Sequence, residues 1–425
     1  MVPTRVEQLF QQAKTAVKEN QFWQAAELYT EVLAVTSPQD TDPEIKEVRL
    51  ATLRERGRLL GLMGEQVAAL HAYEQYLREA GNGVHAVSAR VSIANQCRRL
   101  GRYDRALTVY NEALELSDSL NYTLGRAQAL AGIGGTYVML GRTEEAASKL
   151  SQATLLYEQA GDVPGQVRSL NEKGVAFGSS GQFDKAIDVF KVSLKLAQQM
   201  NRQDRYITTI NNLGECYRHL YAFDQAIAYH EEALKLAQKG RLRYVEADIR
   251  RNLGLSMREL GQLDEALDYL RQALDICEET DNLDMKLHTL YGLSLTETLN
   301  NELELAAEHA QLLYDIAEAN DLKGHKARAL YAQGFVAHYH GYPNSAEELW
   351  HRALFLAHET DRRTLLWHIH AGLAEVAANE GLALVHYRIA GEVLRQIAEP
   401  IDDKVLRQTF LNAPPIKRIL EKSSE

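Results

Sequence analysis

A chain of 425 residues with 58 acidic and 47 basic side chains carries a formal net charge of −11. That sign favours solubility and argues against general binding to nucleic acid or an anionic membrane surface, while leaving room for a local basic patch. With 45% hydrophobic and 25% charged residues, rich in Ala, Leu, Glu, Gln and Arg, the alphabet is that of a helical protein.

The three cysteines, Cys97, Cys216 and Cys277, are too scattered for a disulfide framework and suggest a reducing compartment. Met1 to Lys14 has no basic region followed by an apolar run, and no stretch reaches eighteen apolar residues. Neither secretion nor membrane insertion is therefore expected, and a cytoplasmic location is.

In chain order, the first turn is marked by Asn20 with Ala25, followed by a Pro- and Asp-rich loop from Thr36 to Pro43 and a second turn at Gly64 with Ala69. From Gly101 a phrase repeats every forty residues: Gly101 with Ala106, Gly141 with Ala146, Gly181 with Ala186, Tyr221 with Ala226 and Gly261 with Ala266. It continues more weakly at Asn301 with Ala306 and Gly341 with Ala346, and fades at Gly381, where His386 stands in the Ala position. Such self-similarity is the signature of a repeat architecture.

The period predicts a helical hairpin per unit. Gly134, Gly174, Gly214, Gly254 and Gly334 each fall seven residues before a turn, where a missing side chain lets two helices approach closely. Four residues beyond the turn alanine comes a large group (Tyr110, Leu150, Phe190, Leu270, Trp350), one helical turn along on the same face. All eight prolines fall at expected turns, helix starts or the tail.

The phrase Leu130, Ile133, Gly134, Tyr137, Ala146, Leu150, Ala153 resembles the tetratricopeptide repeat. The period of forty exceeds the usual value of about 34 and is similar to the longer variant of kinesin light chain, Pins/LGN-type scaffolds and bacterial peptide-sensing regulators. The resemblance implies an all-α fold: a right-handed α-solenoid of about ten hairpins, first helices lining a concave groove. The expected organisation is a solenoid over 1–400, with irregular repeats in 1–85, regular ones over about 86–360 and a degenerate one over about 361–399. Residues 401–425 are expected to form a capping helix and polar tail.

Mapping the family's inward positions onto this register gives nine Arg and two Lys against seven acids, an inward charge of +4 inside a remainder of −15. Arg98, Arg218 and Arg258 share one repeat position; Asn171, Asn211 and Arg251 share another; Asn212 and Asn252 share a third. Asn offers donor and acceptor to a main chain, and Arg a planar fork to carboxylates. In the resembling families such ladders clamp peptides. The implied binding residues are Asn171, Asn211, Asn212, Arg218, Arg251, Asn252 and Arg258, with Arg98 and Arg168. A second, aromatic and His-rich surface comprises His288, Tyr291, Tyr331, Phe335 and His338, with Tyr339 and His368 beside it.

Chemistry is not signalled. His338 with His340 and His368 with His370 are spaced i, i+2, on different helix faces, so no metal site is expected. No phosphate loop, zinc-protease or nucleophile-elbow pattern occurs, and no cofactor is expected. The sequence points to a non-enzymatic scaffold binding a protein or peptide, an acidic one by charge, with no nucleic acid or membrane partner and self-association open at an uncapped end. Two alternatives stand beside it: a peptide-responsive sensor controlling a separate effector, and an accessory subunit of a signalling complex.

Overall fold

A computed structural model describes residues 4–19, 21–199, 203–280, 282–360 and 363–424. The described residues form 22 α-helices. The first twenty pack as ten sequential hairpins, so the all-α repeat fold expected from the period is observed.

The hairpins are α1 (Thr4–Lys18) with α2 (Phe22–Val35), α3 (Pro43–Leu62) with α4 (Gln66–Ala80), α5 (Val84–Arg99) with α6 (Tyr103–Ser119), and α7 (Thr123–Met139) with α8 (Thr143–Gln159). Next come α9 (Val163–Ser179) with α10 (Phe183–Gln198), α11 (Gln203–His219) with α12 (Phe223–Lys239), and α13 (Arg243–Glu259) with α14 (Leu263–Glu279). The last three are α15 (Leu283–Leu299) with α16 (Leu303–Ala319), α17 (Lys323–Tyr339) with α18 (Pro343–Glu359), and α19 (Arg363–Val376) with α20 (Glu380–Ala398). Two short helices follow, α21 (Lys404–Asn412) and α22 (Pro414–Lys422). Most of the segment expected as a polar tail is thus helical. Pro414 and Pro415 open α22, where an amide hydrogen is not needed.

The chain divides into two compact units, Met1–Lys173 and Gly174–Glu425, the boundary falling inside α9. In the first, α3 meets α5 and α5 meets α7; in the second, α11, α13, α15, α17 and α19 each meet the next. First helices therefore lie side by side from α3 to α7 in the first unit and from α11 to α19 in the second.

The turns explain the repeated Gly. Gly101 Nα–H bonds the Arg98 carbonyl and Arg102 Nα–H bonds that of Cys97, at 3.1 and 2.9 Å. This double closure requires a left-handed residue after the helix. Gly101, Gly141, Gly181, Gly261 and Gly341 supply it with φ of 70–80°. Tyr221 and Asn301 adopt the same conformation, at 58° and 63°, with a side chain attached.

The small–large pairing also has a direct cause. A Cβ on Gly134, Gly174, Gly254 or Gly334 would fall 2.5–2.8 Å from Leu150, Phe190, Leu270 or Trp350 respectively. One hairpin exchanges the roles: Ser294 stands at the Gly position and Ala310 at the large one, and Ser294 Oγ donates to the Ala306 carbonyl at 2.8 Å. At Gly214 the partner is His230, fully buried. The three cysteines are buried core residues. Among the described residues no helix is long and apolar enough to cross a membrane.

Candidate ligand-binding site

The expected ladder falls in both units. In the first, Arg98 reaches from α5 toward Glu172 of α9, 3.9 Å away. A Cβ on Gly135 of α7 would fall 2.3 Å from Arg98 and 2.4 Å from Glu172, so glycine there is what admits the pair. Arg168 donates to the Tyr157 hydroxyl at 2.6 Å, and Asn171 is buried.

In the second unit, α11 and α13 bring Asn211, Arg218, Arg251, Asn252 and Arg258 together, while Asn212 stays half-buried. Asn211 is 2% exposed and Asn252 fully buried. Asn211 Nδ2 donates to Asp248 at 2.7 Å; its Oδ1 meets His230 Nδ1 at 3.0 Å and accepts from Asn252 Nδ2 at 3.3 Å. Arg251 donates to Asp248 at 2.7 Å and to Asn252 Oδ1 at 2.9 Å. These asparagines therefore belong to a buried network that fixes α11 against α13 and orients Arg251.

Each arginine of this row has an acid on its own helix: Glu215 lies 3.9 Å from Arg218, Asp248 2.7 Å from Arg251 and Glu259 2.5 Å from Arg258. The positive excess counted along the sequence is balanced here. What remains is unfilled donor capacity. Among the described residues, Arg218 Nε, Arg251 Nε and one terminal nitrogen of Arg258 are buried without an acceptor. Burial pushes the Arg218 guanidinium below its usual value. Burial alone would raise the Glu215 carboxyl, but the His219 bond and the charges of Arg251 and Arg218 outweigh it and hold the carboxyl well below the usual range. His230 is pushed down to about 3 by burial and then by Arg218, which keeps it neutral in the network.

The aromatic surface separates into two places. Tyr331 sits at the centre of one, its ring 6.4 Å from Tyr291, 6.1 Å from Phe335, 6.2 Å from Trp350 and 6.0 Å from His368. His338 lies 5.8 Å from Trp350, and Tyr339 4.9 Å from Phe335. All of these except Tyr291, with Trp367 and Tyr221, line a cavity of about 320 Å³. Glu259 and Glu375 bring carboxylates to it, and Pro415, Arg418 and Ile419 of α22 form part of its wall.

His288 lies elsewhere, with Asp284 and His325, their ligand-type atoms within 4.8 Å of one another. In the sequence the only mark of this trio is Asp284 and His288 spaced i, i+4 on one helix face. Arg328 donates to His288 Nδ1 at 2.9 Å, so a fixed positive charge already occupies the space beside it. Burial and then Arg328 push the His288 imidazole well below its ordinary value.

The sequence also left unmarked the tie made by the C-terminal segment. The Asp402 amide donates to Asp184 Oδ2 at 2.7 Å, and Phe410 of α21 packs on Tyr221, ring centres 6.2 Å apart. Arg418 donates to Glu375 at 2.6 Å. The segment after α20 thus touches α10, the turn after α11, and α19 of its own unit. Tyrosine in place of the turn glycine at 221 was the visible signal.

The tetratricopeptide repeat family model matches residues 86–159, 205–279 and 245–319. These stretches are tetratricopeptide repeats. A comparison with curated proteins finds no match. Among solved structures it is similar to a signal transduction ATPase with a tetratricopeptide repeat sensor from Pyrococcus horikoshii (17% identity, TM-score 0.57), over 88% of this chain and 55% of that one. The repeat protein therefore spans about half the length of that ATPase. It is also similar to the apo form of the quorum sensor NprR from B. thuringiensis (13% identity, TM-score 0.59), over 83% of this chain and 98% of that one. A third is a Rap protein complexed with Competence and Sporulation Factor (14% identity, TM-score 0.51), over 93% and 99%. At these identities the likeness is one of fold.

Proposed function

We propose that this repeat protein is a non-enzymatic binding module that captures an acidic or carboxylate-bearing peptide segment on the Arg218, Arg251 and Arg258 row. The observation that carries the reading is the set of three buried guanidinium N–H groups on the neighbouring helices α11 and α13 that have no acceptor among the described residues. A buried donor left unsatisfied costs roughly 1–3 kcal/mol. A carboxylate reaching the row satisfies such donors with charge-assisted bonds. The buried Asn211–Asn252 network holds the Arg251 fork in place beforehand, which lowers the ordering cost on binding.

The test is a peptide array with free C-terminal carboxylates beside the same peptides amidated, probed with wild-type protein and with Arg218→Ala plus Arg258→Ala. Preference for free carboxylates that disappears in the double variant supports the reading. Equal binding to both arrays, or unchanged binding by the variant, removes it.

A second reading, a ligand-responsive sensor acting on a separate effector, draws on the tie from the C-terminal segment to Asp184 and Tyr221, and on the sensors among its fold neighbours. Scattering curves with and without a peptide selected on the array separate the two. A change in dimensions favours the sensor, and unchanged curves favour the static scaffold.

A further inference from the structure

The aromatic cavity has a chemistry opposite to that of the arginine row. Its rings include Tyr331, Phe335, Trp350 and Trp367, and its two carboxylates come from α13 and α19. Trp350 is held in one orientation: its Nε1 donates to the Tyr331 carbonyl at 3.1 Å, and the ring lies between the backbones of Gly334 and Gly372. A fixed aromatic face beside a carboxylate attracts an organic cation through the ring quadrupole and through ion pairing together.

The chain displays this chemistry with its own side chains. Glu375 Oε1 accepts from Arg418 at 2.6 Å and from the Tyr387 hydroxyl at 2.7 Å. Lys422 Nζ stands 4.5 Å over the Tyr387 ring and donates to its hydroxyl at 2.8 Å. Helix α22 thus already places a guanidinium and an ammonium against one edge of the site. Across the cavity, Glu259 is served differently. Both bonds from Arg258 end on its Oε1, at 3.1 and 2.5 Å, and its Oε2 takes none among the described residues.

We propose that the cavity bounded by Trp350, Trp367, Tyr331, Glu259 and Glu375 is a binding site for a guanidinium- or ammonium-bearing ligand, with Arg418 of α22 as a built-in competitor at Glu375. The cation sits against the ring-lined wall and pairs with Glu259 Oε2. The site is independent of the carboxylate reading for the arginine row, and Arg258 links the two with opposite signs: removing it takes a donor from a carboxylate ligand and releases Glu259 for a cation.

Two of the three tryptophans line the cavity, and the third, Trp23, is 66% exposed in the other unit. A Trp23→Phe protein therefore reports the cavity through its intrinsic fluorescence. It is titrated with N-acetylarginine amide and, as the uncharged isostere, N-acetylcitrulline amide. The expected result is a saturable change with the arginine compound and at least tenfold weaker binding of the citrulline one.

Glu259→Gln is expected to weaken arginine binding about tenfold, and Arg418→Ala and Arg258→Ala each to strengthen it, with helix content by circular dichroism establishing that each variant is folded. A peptide carrying an internal arginine, run beside the free compound, distinguishes a partner's side chain from a small cation as the source. Equal affinity for the arginine and citrulline compounds, or no saturable change in the folded protein, overturns the proposal. If the arginine row loses its carboxylate preference while the cavity still discriminates arginine from citrulline, only the row reading fails.

Discussion

Replacing Gly334 by Ala should destabilise the protein, and the same replacement should stabilise it once Trp350 is removed. A Cβ at 334 falls 2.5 Å from Trp350 Nε1 and 2.6 Å from Cδ1. The indole cannot retreat, because its far edge already lies about 3 Å from where a Gly372 Cβ would stand and its Nε1 is bonded to Tyr331. Overpacking of this kind costs about 1–3 kcal/mol, and the helix propensity gained from Gly to Ala returns about 1 kcal/mol. The expected net loss for Gly334→Ala is up to about 2 kcal/mol. Trp350→Ala alone should cost about 3–5 kcal/mol through the cavity it leaves. In that background the added methyl meets no ring, so Gly334→Ala should gain up to about 1 kcal/mol, a coupling of roughly 1–3 kcal/mol. Urea unfolding followed by far-UV circular dichroism measures all four corners of the cycle without depending on the lost tryptophan. An equal effect of Gly334→Ala in both backgrounds would refute the claim that glycine is there to admit the ring.

Three further outcomes are expected. His370 is buried beside His386, at 3.0 Å between Nδ1 atoms, with His351 and His358 near it, and burial and then His386 push its imidazole down to about 4. A base whose folded pKa is depressed loses stability as pH falls from its unfolded value near 6.5 toward the folded one. His370 should therefore cost about 2 kcal/mol between pH 7 and 5, and urea midpoints should fall less over that window in His370→Gln. Tyr221→Gly removes about 1 kcal/mol of left-handed strain but also the ring against Phe410, so global stability should change little while amide exchange across α21 accelerates. Unchanged protection of α21 would contradict that contact's role. Asp184→Ala deletes the acceptor of the Asp402 amide and should accelerate exchange at Asp402 specifically, with helix content retained.

How much of this was legible depends on whether the cause was periodic. Repeat number, turn positions and the pairing of Gly134 with Leu150 or Gly334 with Trp350 recur every forty residues, and the physics that sets them acts between neighbours in sequence. Clustering Arg218, Arg251 and Arg258 was legible for the same reason. Their pairing was not. Glu215, Asp248 and Glu259 sit within three residues of them on the same helices, and counting charges over a whole inner surface cannot show which acids fold onto which arginines. Nor could a forty-residue pattern announce a contact between Asp402 and Asp184, which are 218 residues apart.

The departures from the repeat are where function has room to enter. A regular hairpin spends its special positions on stacking, glycine at the turn and a small–large pair at the crossing, and any residue that meets those demands serves equally. Tyr221 accepts left-handed strain that glycine would avoid, and its ring reaches both the cavity and α21. His230 puts an imidazole where neighbours hold Leu or Phe, and stacking alone has no use for the bond it makes to Asn211. Through Asn211 and Asn252 that bond orients Arg251, one step from the unfilled donors. The exchange at Ser294 and Ala310 is a control for this argument, since it too breaks the pattern, yet its hydroxyl is spent on the Ala306 carbonyl and both residues are fully buried. A departure that closes its own hydrogen bonds inside one hairpin is packing; one whose ring reaches beyond its hairpin, as at 221, or whose partner carries the network into the next hairpin, as at 230, falls beside the proposed sites.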